Sequence, residues 1–244
     1  MERVLISFVI PAHNEEENIA GTLRSVRAAA RSARVPHEIL VVDDDSSDRT
    51  AAIAAEYGAQ VVRVQHRHIA ATRNAGARAA QGNRFVFVDA DTIISASAVR
   101  EAAAAMRAGA VGGGSLVQFD EPLPRWAKIL LPVIHALMRA RYLAAGCFLF
   151  CTREAFEAAG GFDEKRFAGE EVAMTLALRK QGRFVMLDER IVTSGRKLRA
   201  YSGLEILRMF AGVLARGPRA VASRDGLDLW YGPRREDPAL RKSA

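Results

Sequence analysis

Short apolar runs alternate with segments of helical pattern through the first third of the chain. The runs are rich in β-branched and aromatic residues, which is typical of buried strands. They cover residues 4–10, 38–42, 60–64 and 84–88, and the helical segments between them cover about 15–32, 46–57 and 68–80. Strands that alternate with helices predict a mostly parallel central sheet with helices on both faces. The sequence therefore predicts an α/β fold.

The second half of the chain has a less regular pattern. The expected elements are a helix at 95–108, a flexible turn at 112–114, a strand at 115–119, a helix at 123–142 interrupted by Pro132, a buried strand at 145–151, a turn at 160–163, a helix at 170–180, two strands at 184–187 and 191–193, and a helix at 204–215. We predict one domain over residues 1–216, with halves at 1–94 and 95–216, and a loosely ordered tail over 217–244.

Composition narrows the class of protein. Half of the 244 residues (50%) are hydrophobic, which suffices for a full core, and the net charge of +7 favours anionic partners. Cys147 and Cys151 are too few for a disulfide framework and are expected to be free, buried thiols. Neither a leader-peptide pattern nor an apolar run of about 20 residues occurs, so a cytoplasmic protein is expected.

Two classes of function are disfavoured by missing patterns. No Gly-x-Gly-x-x-Gly follows a predicted strand, which argues against dehydrogenase chemistry. Basic residues are not interleaved with aromatic ones as on a stacking surface for nucleic acid. We therefore expect no nucleic-acid partner.

Polar side chains collect where the predicted strands end. The clusters are Pro11-Ala12-His13-Asn14-Glu15, Asp43-Asp44-Asp45, Arg73-Asn74 and Asp89-Ala90-Asp91. Ligands of open α/β sheets bind beyond the carboxyl ends of the strands, so these clusters are expected to face one crevice. An isolated Asp-x-Asp also occurs in ordinary turns, but acids that follow buried strands at several points favour a site. Carboxylates at this spacing suit Mg²⁺ or Mn²⁺ completed by phosphate oxygens, which predicts a nucleoside diphosphate held by a metal.

The order of the motifs resembles family 2 glycosyltransferases, which have the GT-A fold. The motifs are Pro-x-x-Asn-Glu at 11–15, Val-Asp-Asp-x-Ser-x-Asp-x-Thr at 42–50, Ala-x-Arg-Asn-x-Gly at 71–76, Asp-x-Asp at 89–91, Gly-Gly-Phe-Asp at 160–163 and Gly-Glu-Glu at 169–171. The resemblance covers about residues 7–196. It implies a GT-A type α/β fold with a nucleotide-binding half at 1–94 and a small, irregular acceptor-side half at 95–216 that ends in a C-terminal helix.

The resemblance also implies roles for single residues. The implied nucleotide contacts are Pro11, Glu15, Asp44, Arg73 and Asp89, with Asp44 at the base, Glu15 and Asp89 at the ribose, and Arg73 near the base or a phosphate. Asp91 is the implied ligand of Mn²⁺ or Mg²⁺, and Arg196 or Lys197 would meet the diphosphate. Glu170-Glu171 falls where the family has a Glu-Asp pair, so Glu171 is the implied general base.

These roles imply an inverting, metal-assisted transfer of a sugar from a nucleotide-diphosphate donor to an acceptor hydroxyl. We expect the donor to be a UDP-sugar first and a GDP-sugar second. The acceptor is not identified by the sequence, and a lipid-linked hydroxyl is one option. A sugar nucleotidyltransferase is the first alternative, although residues 11–15 lack the Gly-rich loop such enzymes use. The second alternative is a catalytically impaired relative that binds nucleotide or membrane, because Glu171 replaces the usual Asp.

Two basic amphipathic helices leave the question of a membrane partner open. The segment 123–142 has four basic residues and no acid, and 204–215 follows a basic stretch. The apolar face of the second is Leu204, Leu207, Phe210, Val213 and Leu214. Such helices either lie on anionic membranes or pack on the sheet with their charges in water. Packing on the sheet is the favoured interpretation, and peripheral contact with the inner face of the membrane is the alternative.

Overall fold

The computed structural model describes residues 4–232, 235, 237 and 238. Their central feature is one mixed, eight-stranded sheet. Its strands are β1 (Ile6–Ala12), β2 (His37–Asp44), β3 (Gln60–Val64), β4 (Arg84–Val88), β5 (Thr92–Ile93), β6 (Gly112–Phe119), β7 (Phe148–Thr152) and β8 (Phe184–Thr193). They lie in the order β3-β2-β1-β4-β7-β6-β8-β5.

Helices follow most of the strands. They are α1 (Ile19–Ser32), α2 (Thr50–Glu56), α3 (Ile69–Ala79), α4 (Ala96–Arg107), α5 (Arg125–Ala140), α6 (Arg153–Ala158), α7 (Glu170–Gln181), α8 (Arg196–Ala200), α9 (Gly203–Arg216) and α10 (Asp228–Tyr231). The N-caps of α3 and α4 are His68 and Ser95, whose side chains accept from Ala71 N and Ala98 N.

Both faces of the sheet are buried, as the apolar strand runs predict. Successive side chains of a strand point to opposite faces, so Phe8 and Ile10 enter one core layer and Val9 enters the other. Helices α1 and α4 cover the first layer, and α3, α6 and α7 cover the second. The predicted α/β class with helices on both faces is confirmed.

Strand direction changes at β7. Strands β3, β2, β1 and β4 are parallel, whereas β7 runs antiparallel to β4 and to β6. The start of β7 therefore lies at the carboxyl edge of β4, where Asp89 N donates to Cys147 O at 3.3 Å. This reversal brings the segment before β7 to the edge where the acids collect.

The prediction of a flexible turn at Gly112–Gly114 is wrong. These glycines are buried and begin β6, between β7 and β8. A Cβ on Gly113 would lie 2.4 Å from the ring of Phe150 and from Val185 O. The glycines are thus needed for close approach of neighbouring strands, and not for flexibility.

The predicted start of α1 at Glu15 is also wrong. The helix begins at Ile19 and has no acid in its first turn. The N–H groups of Glu15 and Glu16 instead donate to Thr50 Oγ1 at 2.7 Å and to Asp48 Oδ2 at 3.1 Å. Residues 13–18 therefore form a loop fastened to the start of α2.

Further boundaries differ in the second half. β8 is one continuous strand, because its parallel pairing with β6 continues past Arg190 after a register shift between Gly114 and Leu116. The interruption expected at Pro132 does not occur, since α5 runs through this residue.

The favoured packing of the two amphipathic helices is wrong for most of their described apolar side chains, although Val213 of α9 is half-buried. In α5 the buried residue is Ala127, while Ile129, Val133 and Leu137 are exposed. In α9, Leu204 and Leu207 are exposed and Ile206 is buried instead. The side chains of Phe210 and Leu214 lie outside the described part of the structure.

The described part of 217–244 differs from a loosely ordered tail. It contains a 3₁₀ helix at Gly217–Val221 and then α10. Phe167 N donates to Val221 O at 2.7 Å, and the Arg224 guanidinium donates to Arg67 O at 2.6 Å. Residues 233, 234, 236 and 239–244 lie outside the described residues, and the domain division itself stays a prediction.

We expect Gly113→Ala to lower the free energy of unfolding by roughly 2–3 kcal/mol, because the added methyl group overlaps Phe150 and the β8 backbone. Gly21→Ala is the matched control. It lies within α1, where the nearest atom to a new Cβ is 3.7 Å away, so it should stabilise by about 0.5–1 kcal/mol. Urea denaturation measures both, and equal effects would contradict the close-approach argument.

Candidate functional site

A cavity of about 560 Å³ opens at the carboxyl edge of β1, β2 and β4. Seven predicted site residues line it, namely Pro11, Glu15, Asp44, Asp89, Asp91, Arg196 and Lys197. Three others, Arg73, Glu170 and Glu171, are not among the lining residues. The volume is in the range of small-molecule sites.

Asp44 holds the loop between β3 and α3 in place. Its Oδ1 accepts from His66 N and Arg67 N at 2.7 and 2.8 Å. Its Oδ2 accepts from His68 N at 3.0 Å and from the Thr72 hydroxyl at 2.8 Å. Burial raises the pKa of Asp44, but these hydrogen bonds outweigh it and hold the pKa below its usual value. These contacts give Asp44 a structural role in the loop, and its predicted pairing with a base stays a prediction.

Arg196 joins two of the predicted acids at the cavity. Its Nη2 lies 2.7 Å from Glu15 Oε1 and 3.6 Å from Asp91 Oδ2. Asp91 Oδ1 also accepts from the Thr193 hydroxyl at 3.2 Å. Burial, then Glu15 and Asp89, raise the pKa of Asp91 to about 6, although Lys197 and Arg196 oppose the shift. Three carboxylates thus share a small space beside two cations.

This crowding of like charge fits a divalent cation at Asp91. Burial is the main cause of the raised pKa of Asp91, and a cation would relieve the repulsion from Glu15 and Asp89 that adds to it. Within the part of the chain that the structure describes, no group of three His, Cys, Asp or Glu side chains could hold a metal ion. A cation here would thus take Asp91 and complete its shell with phosphate oxygens and water, as Mg²⁺ and Mn²⁺ do.

Arg73 lies beneath the cavity and not in it. Its side chain is 2% exposed and donates to Asp89 Oδ1 at 2.9 Å, Glu170 Oε1 at 2.7 Å and Gly146 O at 3.1 Å. Burial lowers the pKa of Arg73, but the neighbouring carboxylates outweigh it and raise the pKa above its usual value. The structure therefore does not support the predicted contact of Arg73 with a base or phosphate. It shows a buried cation that connects Asp89, after β4, to the start of α7.

The two acids that begin α7 differ in their surroundings. Glu170 is buried against Arg73, which occupies one of its oxygens. Glu171 lies beside the backbone of Gly146, because a Cβ on that glycine would be 3.6 Å from Glu171 Cβ. Burial and then Glu170 raise the pKa of Glu171 to about 8, and Arg73 opposes the shift. A carboxylate with a raised pKa close to neutral pH is suited to accept a proton.

The sequence reasoning missed a wall of the cavity built by the C-terminal segment. The lining includes Trp230 and Tyr231 of α10, together with His68. His68 Nε2 and Tyr231 Oη are buried and have no hydrogen-bond partner among the described residues. The signal for this wall was the apolar group Leu227, Leu229, Trp230 and Tyr231 within a polar tail. Both atoms are covered by the protein, so they do not themselves face the cavity.

Residues 7–157 match the family model described as "Glycosyl transferase family 2". The chain belongs to glycosyl transferase family 2. This confirms the resemblance seen in the order of the motifs. Among the residues that the structure describes, no helix is long and apolar enough to span a membrane.

Two curated relatives match this family 2 glycosyltransferase over part of its length. A 4,4'-diaponeurosporenoate glycosyltransferase of Staphylococcus haemolyticus is 49% identical over 61 residues, which cover 25% of this chain and 15% of the relative. An undecaprenyl-phosphate 4-deoxy-4-formamido-L-arabinose transferase of Pseudomonas fluorescens is 36% identical over 97 residues. This match covers 35% of this chain and 27% of the relative. The matches thus span less than a third of either relative.

Solved structures of glycosyltransferases share the fold. A mannosyltransferase from Pyrobaculum calidifontis in complex with GDP-Man and Mn²⁺ has a TM-score of 0.65 at 18% identity, covering 88% of this chain and 66% of that one. TarS 1-349 of S. aureus has a TM-score of 0.63 at 18% identity. The match covers 86% of this chain and 65% of the TarS chain. These likenesses confirm the predicted GT-A fold of this family 2 member.

We expect Arg73→Met to lower the free energy of unfolding by about 3–5 kcal/mol, because it leaves two carboxylates without their buried partner. Arg78→Met is the matched control on the same helix. Arg78 is 65% exposed and 4.0 Å from Glu164, so its loss should cost less than about 1 kcal/mol. Denaturant unfolding of both variants measures the difference, and similar small losses would show that the Arg73 network is not stabilising.

Proposed function

We propose that this protein transfers a sugar from a nucleotide-diphosphate donor to an acceptor hydroxyl, with inversion at the anomeric carbon. The observation that carries the proposal is the cavity in which Glu15, Asp89 and Asp91 meet Arg196 and Lys197. Carboxylates can bind ribose hydroxyls and a cation, while the two basic side chains can bind phosphates. Family membership supports the reaction class, and UDP is proposed before GDP as the nucleotide.

The base of the nucleotide is proposed to lie against the C-terminal wall. Trp230 and Tyr231 line this wall and offer aromatic side chains on which a base could stack. The ribose would then lie near Glu15 and Asp89, and the diphosphate near Asp91 and Arg196. The predicted contact of Asp44 with the base is the alternative placement, since Asp44 also lines the cavity.

The leaving diphosphate carries charge that the site must stabilise. A bound Mn²⁺ or Mg²⁺ on Asp91 would supply charge neutralisation at the diphosphate oxygens. Arg196 is held by Glu15 near Asp91, and a phosphate could replace one of its carboxylate partners. Lys197 lines the same cavity and adds a second cation. These side chains would stabilise the bond-breaking step electrostatically.

Glu171 is proposed as the general base. Its carboxylate would take the proton of the acceptor hydroxyl while the hydroxyl oxygen attacks the anomeric carbon and the bond to the diphosphate breaks. Glu170 is a weaker candidate, because Arg73 binds it in the core. Arg73 would act as a positioning residue by holding Glu170, and with it the start of α7, against Asp89.

The acceptor is proposed to be attached to a lipid. Support for the lipid comes from the Pseudomonas fluorescens relative, whose name specifies undecaprenyl phosphate and whose match covers 35% of this chain. In that lipid the attacking atom is a phosphate oxygen, so the relative supports the lipid and not the hydroxyl. A place in the cytoplasm at the inner face of the membrane is proposed with it.

We expect UDP or GDP to bind in calorimetry only with Mn²⁺ or Mg²⁺ present. Asp91→Asn should weaken binding at least about tenfold, or about 1.4 kcal/mol, because it removes the proposed metal ligand. Asp188→Asn is the control, since that acid is exposed and lies outside the cavity lining. If neither nucleotide binds with metal present, the donor-site assignment is wrong.

We expect the pH profile of kcat/KM for donor turnover to rise through about pH 8, because Glu171 must lose its proton before it can accept one. Glu171→Gln should lower the rate about 10²–10⁴-fold and remove this limb, with nucleotide affinity unchanged. The assay measures how fast free nucleotide is released from a sugar nucleotide, and it uses the sugar nucleotide that binds most tightly. Undiminished turnover in Glu171→Gln would contradict the role of this residue as the general base. If the wild type binds nucleotide but shows no turnover, the protein is better described as a catalytically impaired relative.

A further inference from the structure

Helix α5 carries an apolar stripe that faces away from the protein. Ile129 is 76% exposed, Val133 55% and Leu137 58%, and Leu130 and Ile134 are exposed beside them. These five residues recur at spacings of three and four, so they lie on one face of the helix. The helix contacts the sheet through another face, on which Ala127 is buried. Contiguous exposed apolar side chains of this kind mark an interaction surface.

Helix α5 also carries basic residues, and no acid interrupts the stripe. α5 contains Arg125, Lys128 and Arg139 and has neither Asp nor Glu. Lys128 pairs with Glu121 at 3.0 Å and Arg139 with Asp188 at 2.7 Å, but both pairs are solvent-exposed. Exposed pairs of this kind contribute little free energy, so the cations remain available to phosphate groups.

Neighbouring helices extend the same surface at both ends of α5. Near its start, Trp126 packs on Gly203 of α9, a helix whose Leu204 and Leu207 are exposed. Near its end, Arg179 of α7 donates to Arg141 O at 2.8 Å and lies 6.0 Å from the ring centroid of Tyr142. The surface therefore combines apolar side chains with cations along its whole length.

We propose that α5, with the exposed leucines of α9, docks on the surface of an anionic lipid bilayer. The apolar stripe would enter the boundary between headgroups and acyl chains, and the basic side chains would contact lipid phosphates. A second copy of this chain fits less well, because two α5 faces would bring like charges together. This inference does not depend on the proposed transfer reaction.

The docking surface is connected directly to the candidate active site. The segment that follows α5 leads to Gly146, whose carbonyl accepts from Arg73 and whose Cα lies beside Glu171. The chain thus runs from the end of α5 to the backbone beside Glu171 within residues 141–146.

The test is sedimentation of the nucleotide-free protein with vesicles of phosphatidylcholine, with and without phosphatidylglycerol, at low and high salt. The wild type should sediment with the anionic vesicles at low salt and less at high salt. Ile129→Ser with Leu137→Ser should lower membrane affinity at least about tenfold, because two apolar side chains are lost. Arg125→Gln should lower it about fivefold.

Matched controls keep the test specific to this surface. Ile93→Ser changes an isoleucine that is 46% exposed on β5, and Arg107→Gln changes an exposed arginine on α4. Both should bind vesicles like the wild type. Failure of the wild type to sediment at low salt, or equal binding by the double variant, would overturn the proposal. A wild-type dimer that the double variant dissociates, without vesicle binding, would identify the surface as a contact between copies. Nucleotide calorimetry on the same variants reports the donor site separately.

Discussion

The buried guanidinium of Arg73 is the interaction on which the site depends. It joins Asp89, at the end of β4, to Glu170, at the start of α7, and to the carbonyl before β7. A buried cation is tolerated only where carboxylates compensate its lost hydration, so the three segments must meet in one arrangement. The predicted nucleotide-binding half and the predicted acceptor-side half are held together at this point.

Two different uses of carboxylates follow from their surroundings. Asp44 accepts hydrogen bonds from its own loop and Glu170 accepts one from Arg73, and both stabilise the shape of the site. Asp91 and Glu171 have a raised pKa, because burial and neighbouring acids disfavour their charge. Groups whose charge is disfavoured in the free protein are those that a metal or a proton transfer can use.

Local patterns allowed much of the fold to be predicted and only part of the site. The parallel strands and the acids at Glu15, Asp89 and Asp91 follow from residues adjacent in sequence. The role of Arg73 could not be predicted in this way, because its partner Glu170 is 97 residues away in the sequence. Three glycines in a row, as at 112–114, occur both in flexible turns and in tightly packed strands. The side chains and backbone of the neighbouring strands decide which structure forms, and they are distant in sequence. The wall formed by α10 depends on contacts of the C-terminal segment with distant loops.

The most direct test of this account is a double-mutant cycle on the free energy of unfolding, with Arg73→Met, Glu170→Gln and the double variant. If Arg73 holds the two halves together through Glu170, the two changes should be non-additive, with a coupling free energy of about 2 kcal/mol. Additivity within about 0.5 kcal/mol would mean that the two side chains act independently, and the account of Arg73 as the link between the halves would be contradicted.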